Sequence, residues 1–202
     1  MIQFDDGEHF PIARIQLEIE AIKHTFQKTT EENPNSFKPF AVFFKDRDTK
    51  SFICSCREIL DEEDYYVAIS EMLFAYSAIE AHAVLLAIEI SKTINQIKYD
   101  VLEVYMGFDD YCAIYTMPYT LENNSVVWND MLSDSFTIEK MEKAFDTSSN
   151  MESSIQIIES LYLHSHQDRS SFQLYQLISF FNSAGFETRI LDEKLNKQLS
   201  II

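Results

Sequence analysis

The chain contains few residues of the kinds that form ligand-cradling loops. Its 202 residues include only 3 glycines and 4 prolines. Few positions can therefore adopt a positive φ without strain. Neither GxGxxG nor GxxxxGK(S/T) occurs in the sequence. Because these common fingerprints of nucleotide binding are missing, we expect the protein to use no cofactor.

Cysteine is scarce as well, and no segment reads as a targeting or membrane sequence. Three cysteines form an odd set in a chain large enough to fold without disulfides, which favours reduced thiols and a cytoplasmic location. Residues 1–8 are acidic and lack the apolar core of a secretory signal. The most apolar stretch, residues 65–90, carries three glutamates, so we expect no membrane span.

Basic residues are outnumbered two to one, and the imbalance is concentrated in one part of the chain. The net charge is -17, and residues 58–168 hold 21 Asp and Glu against 4 Lys and Arg. A concentration of negative charge repels nucleic acids and anionic membranes and attracts basic protein surfaces. We therefore expect a basic protein as partner and no nucleic acid. An acidic surface that only maintains solubility is the alternative.

Apolar residues, by contrast, are plentiful enough for a substantial core. The chain is 46% hydrophobic and includes 16 Phe and 10 Tyr, which excludes a disordered protein. After Pro11, apolar residues recur at spacings of three and four, as on one face of a helix: Ile12, Ile15, Ile19, Ile22 and Phe26. Residues 40–44 and 51–56 flank a polar turn and predict a β-hairpin.

The middle of the chain predicts a long helix followed by more strands. Residues 62–93 are apolar on most of their circumference and begin with a run of acids, as expected for a central helix. Residues 99–106 and 111–117 flank a turn and predict two strands, and residues 125–128 a short additional one. The predicted fold is α+β: an antiparallel sheet in ββαββ order with the long central helix packed on it.

The C-terminal third has mainly helical spacing. Three short helices are predicted, the last of them ending at Gly185, and residues 188–191 form either a strand or the start of another helix. These helices suggest a helical subdomain of residues 134–202, packed on an α+β domain of residues 1–133 that includes the N-terminal helix. Nothing near residue 133 has the composition of a linker, so the two parts can equally form one domain.

Two residues of the predicted central helix are candidates for catalysis. On a helix, Glu80 points into an apolar surface, where burial would raise its pKa and suit it to act as a general acid or base. His82 shares the opposite face with two further glutamates. A structural role for Glu80, as a hydrogen-bond acceptor for a tyrosine or a backbone amide, is the alternative.

Candidate metal ligands occur in two places. His164, His166 and Asp168 resemble the HxHxDH motif of metallo-hydrolases and the HxH of JAMM-type metallopeptidases, although Arg169 replaces the final histidine of the former. On a strand the two histidines would face one side, whereas the helical spacing before them makes them diverge. Cys54 and Cys56 share a strand face, and with Cys112 they form either a thiolate cluster or part of the core.

Three functional hypotheses follow from these features. The first is a non-enzymatic binding or inhibitor protein that docks a basic protein surface. The alternative is a small metal-dependent hydrolase that uses His164 and His166, with Asp168 as the carboxylate ligand. A third is an oligomer subunit or scaffold that uses exposed aromatic residues such as Phe43, Tyr65 or Trp128.

Overall fold

The computed structural model of the protein is an α+β fold built on an antiparallel sheet. It describes residues 12–34, 36–45, 49–58, 62–79, 81–94, 96–108, 111–137, 157–158, 160–161, 163 and 174–193. The helices are α1 (Ile12–Glu32), α2 (Glu62–Ala78) and α3 (Leu174–Ser183), and residues 157, 158, 160, 161 and 163 are also helical. The strands are β1 (Phe40–Phe44), β2 (Lys50–Cys56), β3 (Ala83–Ile94), β4 (Ile97–Phe108), β5 (Tyr111–Glu122), β6 (Ser125–Trp128), β7 (Leu132–Thr137) and β8 (Phe186–Ile190).

The eight strands form one sheet in the order β6-β5-β4-β3-β1-β2-β8, and β7 also pairs with β5. Strand β5 is long enough to carry two neighbours on one edge, because β7 pairs with Tyr111–Thr116 and β6 with Tyr119–Glu122. Strands β2 and β3 both pair antiparallel with β1 and therefore run parallel to each other. The connection between them crosses over β1 and contains α2, which is how a chain joins two parallel strands.

Helices cover both faces of the sheet. On the face that we call the α1 face, Ile15, Ile19, Ile22 and Phe26 pack against residues such as Leu85 and Val104. On the opposite face, which we call the α2 face, the core includes residues of α2, residues of α3 and the helical residues 157, 158 and 161, packed against strand residues such as Leu86 and Tyr105. The helix predicted from Pro11 and the hairpin of β1 and β2 are confirmed. None of the described helices is both long and apolar enough to cross a membrane.

The prediction of a ββαββ sheet with a long central helix was wrong. Helix α2 ends at Ala78, and strand β3 (Ala83–Ile94), in the middle of the sheet, takes up most of the second half of the predicted helix 62–93. Residues Ala83–Ile88 are buried without a break because helices cover both faces of this strand. A strand buried on both faces shows no alternation of apolar and polar residues, so its sequence looks like that of a buried helix.

The C-terminal part of the chain, for which mainly helices were predicted, also contributes strands. Strand β8 and the end of β7 come from residues 134–202, and both strands join the sheet, β7 beside β5 and β8 beside β2. The last predicted helix is observed as α3, and Gly185 follows it with φ +87°, which glycine adopts without strain. The predicted domain boundary near residue 133 stays a prediction.

Candidate functional site

Most of the predicted site residues lie outside the part of the chain that the structure describes. This holds for Glu80 and for the three candidate metal ligands, His164, His166 and Asp168. Their roles in catalysis and in metal binding therefore stay predictions. Tyr65, one of the three aromatic residues suggested for oligomer contacts, has its side chain outside the described part as well.

His82, the other candidate for catalysis, lies in the connection between α2 and β3. Its backbone N–H donates a hydrogen bond of 2.7 Å to the carbonyl of Phe44. Its own carbonyl accepts one of 3.4 Å from the Tyr76 hydroxyl, and its ring packs edge-on against Phe108 with centroids 4.7 Å apart. These contacts fix the start of β3 against β1 and α2, which is a structural role for His82.

The cysteines belong to one core layer but do not form a cluster. Cys54 and Cys56 lie on β2 and Cys112 on β5, and all three are buried on the α2 face. Strands β2 and β5 are four positions apart in the sheet, or about 19 Å at ~4.8 Å per strand. Among the residues that the structure describes, no three His, Cys, Asp or Glu side chains are grouped as a metal site would need.

Burial makes these three thiols poor nucleophiles. Desolvation raises the pKa of Cys56 to about 11 and that of Cys112 to about 12. The pKa of Cys54 is also raised, mainly by desolvation and further by the neighbouring Cys56. Since the thiolate is the reactive form, the three side chains behave as small apolar core residues.

The carboxylate that is fully buried in the described structure is Glu103, in the middle of β4. It accepts hydrogen bonds from Lys92 Nζ at 2.6 Å and from Thr116 Oγ1 at 2.9 Å, both through Oε1. The Tyr105 hydroxyl donates to its Oε2. One negative charge is thus matched by one ammonium and two hydroxyl groups, which is how a buried carboxylate avoids the full cost of desolvation.

The sequence carries a signal for Glu103 that the predictions missed. Residues 101–106 are apolar at both odd and even positions except for this one glutamate. Such a strand is covered on both faces, so whichever face Glu103 takes must bury it. The prediction placed the buried carboxylate at Glu80 because, on the predicted central helix, that residue points into the apolar surface.

A second carboxylate, Glu89, lies on the α1 face of the same pair of strands. Its Oε1 accepts a hydrogen bond from the Tyr119 hydroxyl, and Asp100 next to them accepts one of 2.8 Å from Ser91. Burial raises the pKa of Glu89; the bond from Tyr119 acts in the opposite direction, and the Asp100 carboxylate adds to the rise. The pKa of Tyr119 is raised by burial and by the same two carboxylates.

Charge is distributed unevenly along the strand order of the sheet, and we call the two halves of that order the two sides of the sheet. The described residues of 83–137, which include the adjacent strands β3 to β7, contain six Asp and Glu against two Lys. The described residues of 40–56 and 186–190, which include β1, β2 and β8, contain one Glu against three Lys and Arg. The strand order therefore gives the sheet an acidic side and a nearly neutral side.

Several exposed apolar side chains lie along the border of the acidic side that the start of β4, β6 and the start of β7 form. Ile97, Val127, Met131 and Leu132 have 39 to 56% of their surface exposed, and the carboxylates of Glu122 and Asp130 are exposed in the same part of the sheet. We call this set of six residues the acidic corner. Register and alternation place Ile97, Glu122, Val127 and Leu132 on the α2 face, while Asp130 and Met131 lie in the link between β6 and β7.

The acidic corner borders the buried Glu103 network. Thr116 lies between Glu103 and Leu132 in the sheet register, opposite Glu103 on β4 and opposite Leu132 on β7. Its hydroxyl donates to Glu103 on the same face. The corner is thus built on four strands, with a set of hydrogen-bonded side chains behind it, and it offers apolar surface next to negative charge.

No family model, curated protein or solved structure proved similar to this chain in the comparisons. The fold is that of an α+β protein with an eight-stranded antiparallel sheet. Because no similar protein was found, its function is inferred from the geometry and the charge of its own residues.

Proposed function

We propose that the protein is a non-enzymatic binding protein whose acidic corner docks a basic surface of another protein. The observation that carries this proposal is the placement of four exposed apolar side chains beside two exposed carboxylates, on the acidic side of the sheet. Exposed apolar groups with a polar rim are typical of protein interfaces.

The two kinds of side chain would contribute differently to binding. Burial of apolar side chains such as Val127 and Leu132 supplies affinity, at about 25 cal/mol per Å² of apolar surface removed from water. The carboxylates of Glu122 and Asp130 favour basic partners and speed the encounter with them. A partner with both apolar and basic side chains fits such a corner, whereas the phosphates of nucleic acid would be repelled.

The buried Glu103, the candidate His82 and the three cysteines are engaged in structural contacts, which favours binding over catalysis. Glu103 is held by three donors, His82 packs on Phe108, and the three buried thiols have raised pKa values. A metal-dependent hydrolase built on His164, His166 and Asp168 stays a prediction. The cytoplasmic location that the three cysteines favour remains part of the proposal.

The experiment uses an amphipathic helical peptide made only of Lys and Leu, labelled for fluorescence anisotropy, which we call the Lys–Leu peptide. The double variant Glu122→Gln with Asp130→Asn is compared with Glu58→Gln with Glu193→Gln, which removes two exposed carboxylates from the β2 and β8 side. We expect the corner variant to bind about 3- to 10-fold more weakly, and the control to bind like the wild type.

A second comparison tests the apolar part of the corner. Val127→Thr replaces a methyl group by a hydroxyl at nearly constant volume, and Val67→Thr makes the same change at an exposed position on α2. We expect only Val127→Thr to weaken binding, and we expect wild-type binding to fall as NaCl is raised. Equal weakening by the two double variants would mean that net charge alone attracts the peptide, and the proposal would then be wrong.

A further inference from the structure

Strand β8 lies at the end of the sheet opposite the acidic corner. Within the described residues it pairs on one side only, with β2. Leu191 N–H donates to the carbonyl of Ser51, and Arg57 N–H to that of Gly185, both at 2.9 Å. Both bonded residues, Gly185 and Leu191, have odd numbers. Because hydrogen-bonded and non-bonded positions alternate along an antiparallel strand, the odd-numbered residues of β8 direct their N–H and C=O groups to β2. The even-numbered residues Phe186, Thr188 and Ile190 direct theirs to the outer edge.

The sequence of β8, Phe186-Glu187-Thr188-Arg189-Ile190, is complementary to itself in reverse. An antiparallel copy centred on Thr188 would place Glu187 opposite Arg189 of the other copy, twice by symmetry, and Phe186 opposite Ile190. The outward positions Phe186, Thr188 and Ile190 would then face one another as bonded pairs, with about six backbone hydrogen bonds in all. Glu187 and Arg189 would form the non-bonded pairs, in which opposing side chains lie closest.

Other registers with this backbone geometry are unfavourable. A shift of the pairing to a centre at residue 187 places Glu187 opposite itself, and a centre at residue 189 does the same to Arg189. Like charges directly opposite each other destabilise a pair of strands. A slip by a single residue places even-numbered residues, whose backbone N–H and C=O groups point to the outer edge, opposite odd-numbered residues, whose groups point to β2. The backbone hydrogen bonds between the two copies are then lost. The sequence of the edge strand therefore specifies one register.

The surroundings of β8 also suit a second copy of this chain. With a net charge of -17, two copies repel each other, and the repulsion is greatest between their acidic sides. The described residues 36–45, 49–58 and 174–193, which include β1, β2 and β8, hold five Lys and Arg against four Asp and Glu, so repulsion is weaker at the β8 edge than at the acidic side. At physiological salt, charges more than about 8 Å apart are largely screened.

We propose that two copies of the chain associate through their β8 strands, paired antiparallel about Thr188. The two sheets then form one continuous sheet, with an acidic corner at each far end. The contact is isologous, with the same residues used by both copies. Five residues per strand make a small interface, so the dimer is a weak one that forms at high concentration.

The first test is sedimentation velocity over a range of protein concentrations. The wild type should shift from monomer toward dimer as concentration rises. Arg189→Glu, which sets two pairs of glutamates opposite each other, should weaken association about ten-fold or more. The reversed pair, Glu187→Arg with Arg189→Glu, should restore it. Lys98→Glu, an equal charge change at an exposed position on β4, should leave it unchanged.

The second test is disulfide cross-linking, which reads the register. Thr188→Cys should form a dimer through a disulfide on mild oxidation, because the proposed register places its two Cα atoms about 5.5 Å apart. Glu187→Cys should cross-link far less, since its nearest counterpart is Arg189. The native cysteines are buried and do not compete. A wild type that stays monomeric at all concentrations, a reversed pair that fails to restore association, or equal cross-linking at both positions would overturn the proposal.

Discussion

Lys92 and Glu103 form an ion pair within the sheet, with 2.6 Å between Nζ and Oε1. The glutamate side chain is completely buried and the lysine side chain is 16% exposed. The pair belongs to the hydrogen-bond network that lies behind the acidic corner. Because both charges are largely removed from water, each depends on the other for compensation.

Glu103→Leu should therefore be strongly destabilising. The variant removes the Glu103 carboxylate, which accepts from the Lys92 ammonium and from the hydroxyls of Thr116 and Tyr105, and we expect a loss of about 3–5 kcal/mol in the free energy of unfolding. Adding Lys92→Met to Glu103→Leu should recover part of that loss. Urea unfolding measures the free energy of unfolding of the single and the double variant. Glu122→Leu, at an exposed position, serves as control, and a loss for Glu103→Leu as small as that of the control would contradict the buried network.

Glu89 should make the stability depend on pH in the direction opposite to that of most carboxylates. Burial raises its pKa above the ordinary value of 4.5, so between these two values the folded protein holds more protons than the unfolded chain. The contribution of Glu89 to the free energy of unfolding is therefore full below pH 4.5 and is lost as the pH rises through the folded pKa.

The variant Glu89→Gln isolates this effect. Its amide oxygen can still accept the hydrogen bond from Tyr119, but it carries no charge. We expect its Tm, relative to that of the wild type, to be highest near neutral pH, and we expect the difference to shrink as the pH falls through the raised pKa of Glu89 and to stay constant below pH 4.5. Glu122→Gln should show no such trend. A Tm difference for Glu89→Gln that grows on acidification would show that the pKa of Glu89 is lowered instead.

The three thiols should be unreactive in the native protein. Cys54, Cys56 and Cys112 are buried and their pKa values are raised, so few thiolates are present at neutral pH. With a thiol reagent such as DTNB, we expect no rapid reaction in buffer and three equivalents in denaturant. Thr120→Cys, at an exposed position, should add one rapidly reacting thiol. Rapid reaction of a wild-type thiol would contradict its burial.

Gly107 allows the helical segment that includes Leu161 to pack closely on β4. A Cβ at this position would lie 3.2 Å from Leu161 Cδ2 and 3.2 Å from Val84 Cγ1. Gly107→Ala should overpack the core and cost about 1–3 kcal/mol in urea unfolding. In combination with Leu161→Ala the two losses should be less than additive, because the smaller side chain leaves room for the methyl group. Strictly additive losses would show that the two residues do not meet.

Much of the local structure could be predicted from the sequence, wherever periodicity or turn residues were present. The apolar stripe of α1 and the paired runs of β1 and β2 were recognised in this way. Strand β3 was not, because helices on both faces remove the alternation that marks a strand. Strand β7 was not predicted, and its last residues, from Ser135, were assigned to a helix, since the sequence does not show that these residues pair with β5 beside β6.

The candidate site was harder to predict than the fold, since it depends on which strands become neighbours. The excess of acids in the middle of the chain was visible in the sequence, but its position on one side of the sheet follows from the strand order. The acidic corner combines β4, β5, β6 and the start of β7, and only the register shows that Ile97 and Leu132 share a face. Likewise, the partners of Glu103 come from three different strands.

The most direct test of the docking proposal is to map where a basic ligand binds. A ¹⁵N-labelled protein would be titrated with the Lys–Leu peptide while its backbone amide shifts are recorded. We predict that the largest shift changes fall at the acidic corner, around Val127, Met131 and Leu132, with little change along β2 and β8. Changes spread evenly over the molecule, or strongest at Lys50–Cys56 and Phe186–Ile190, would contradict the proposal.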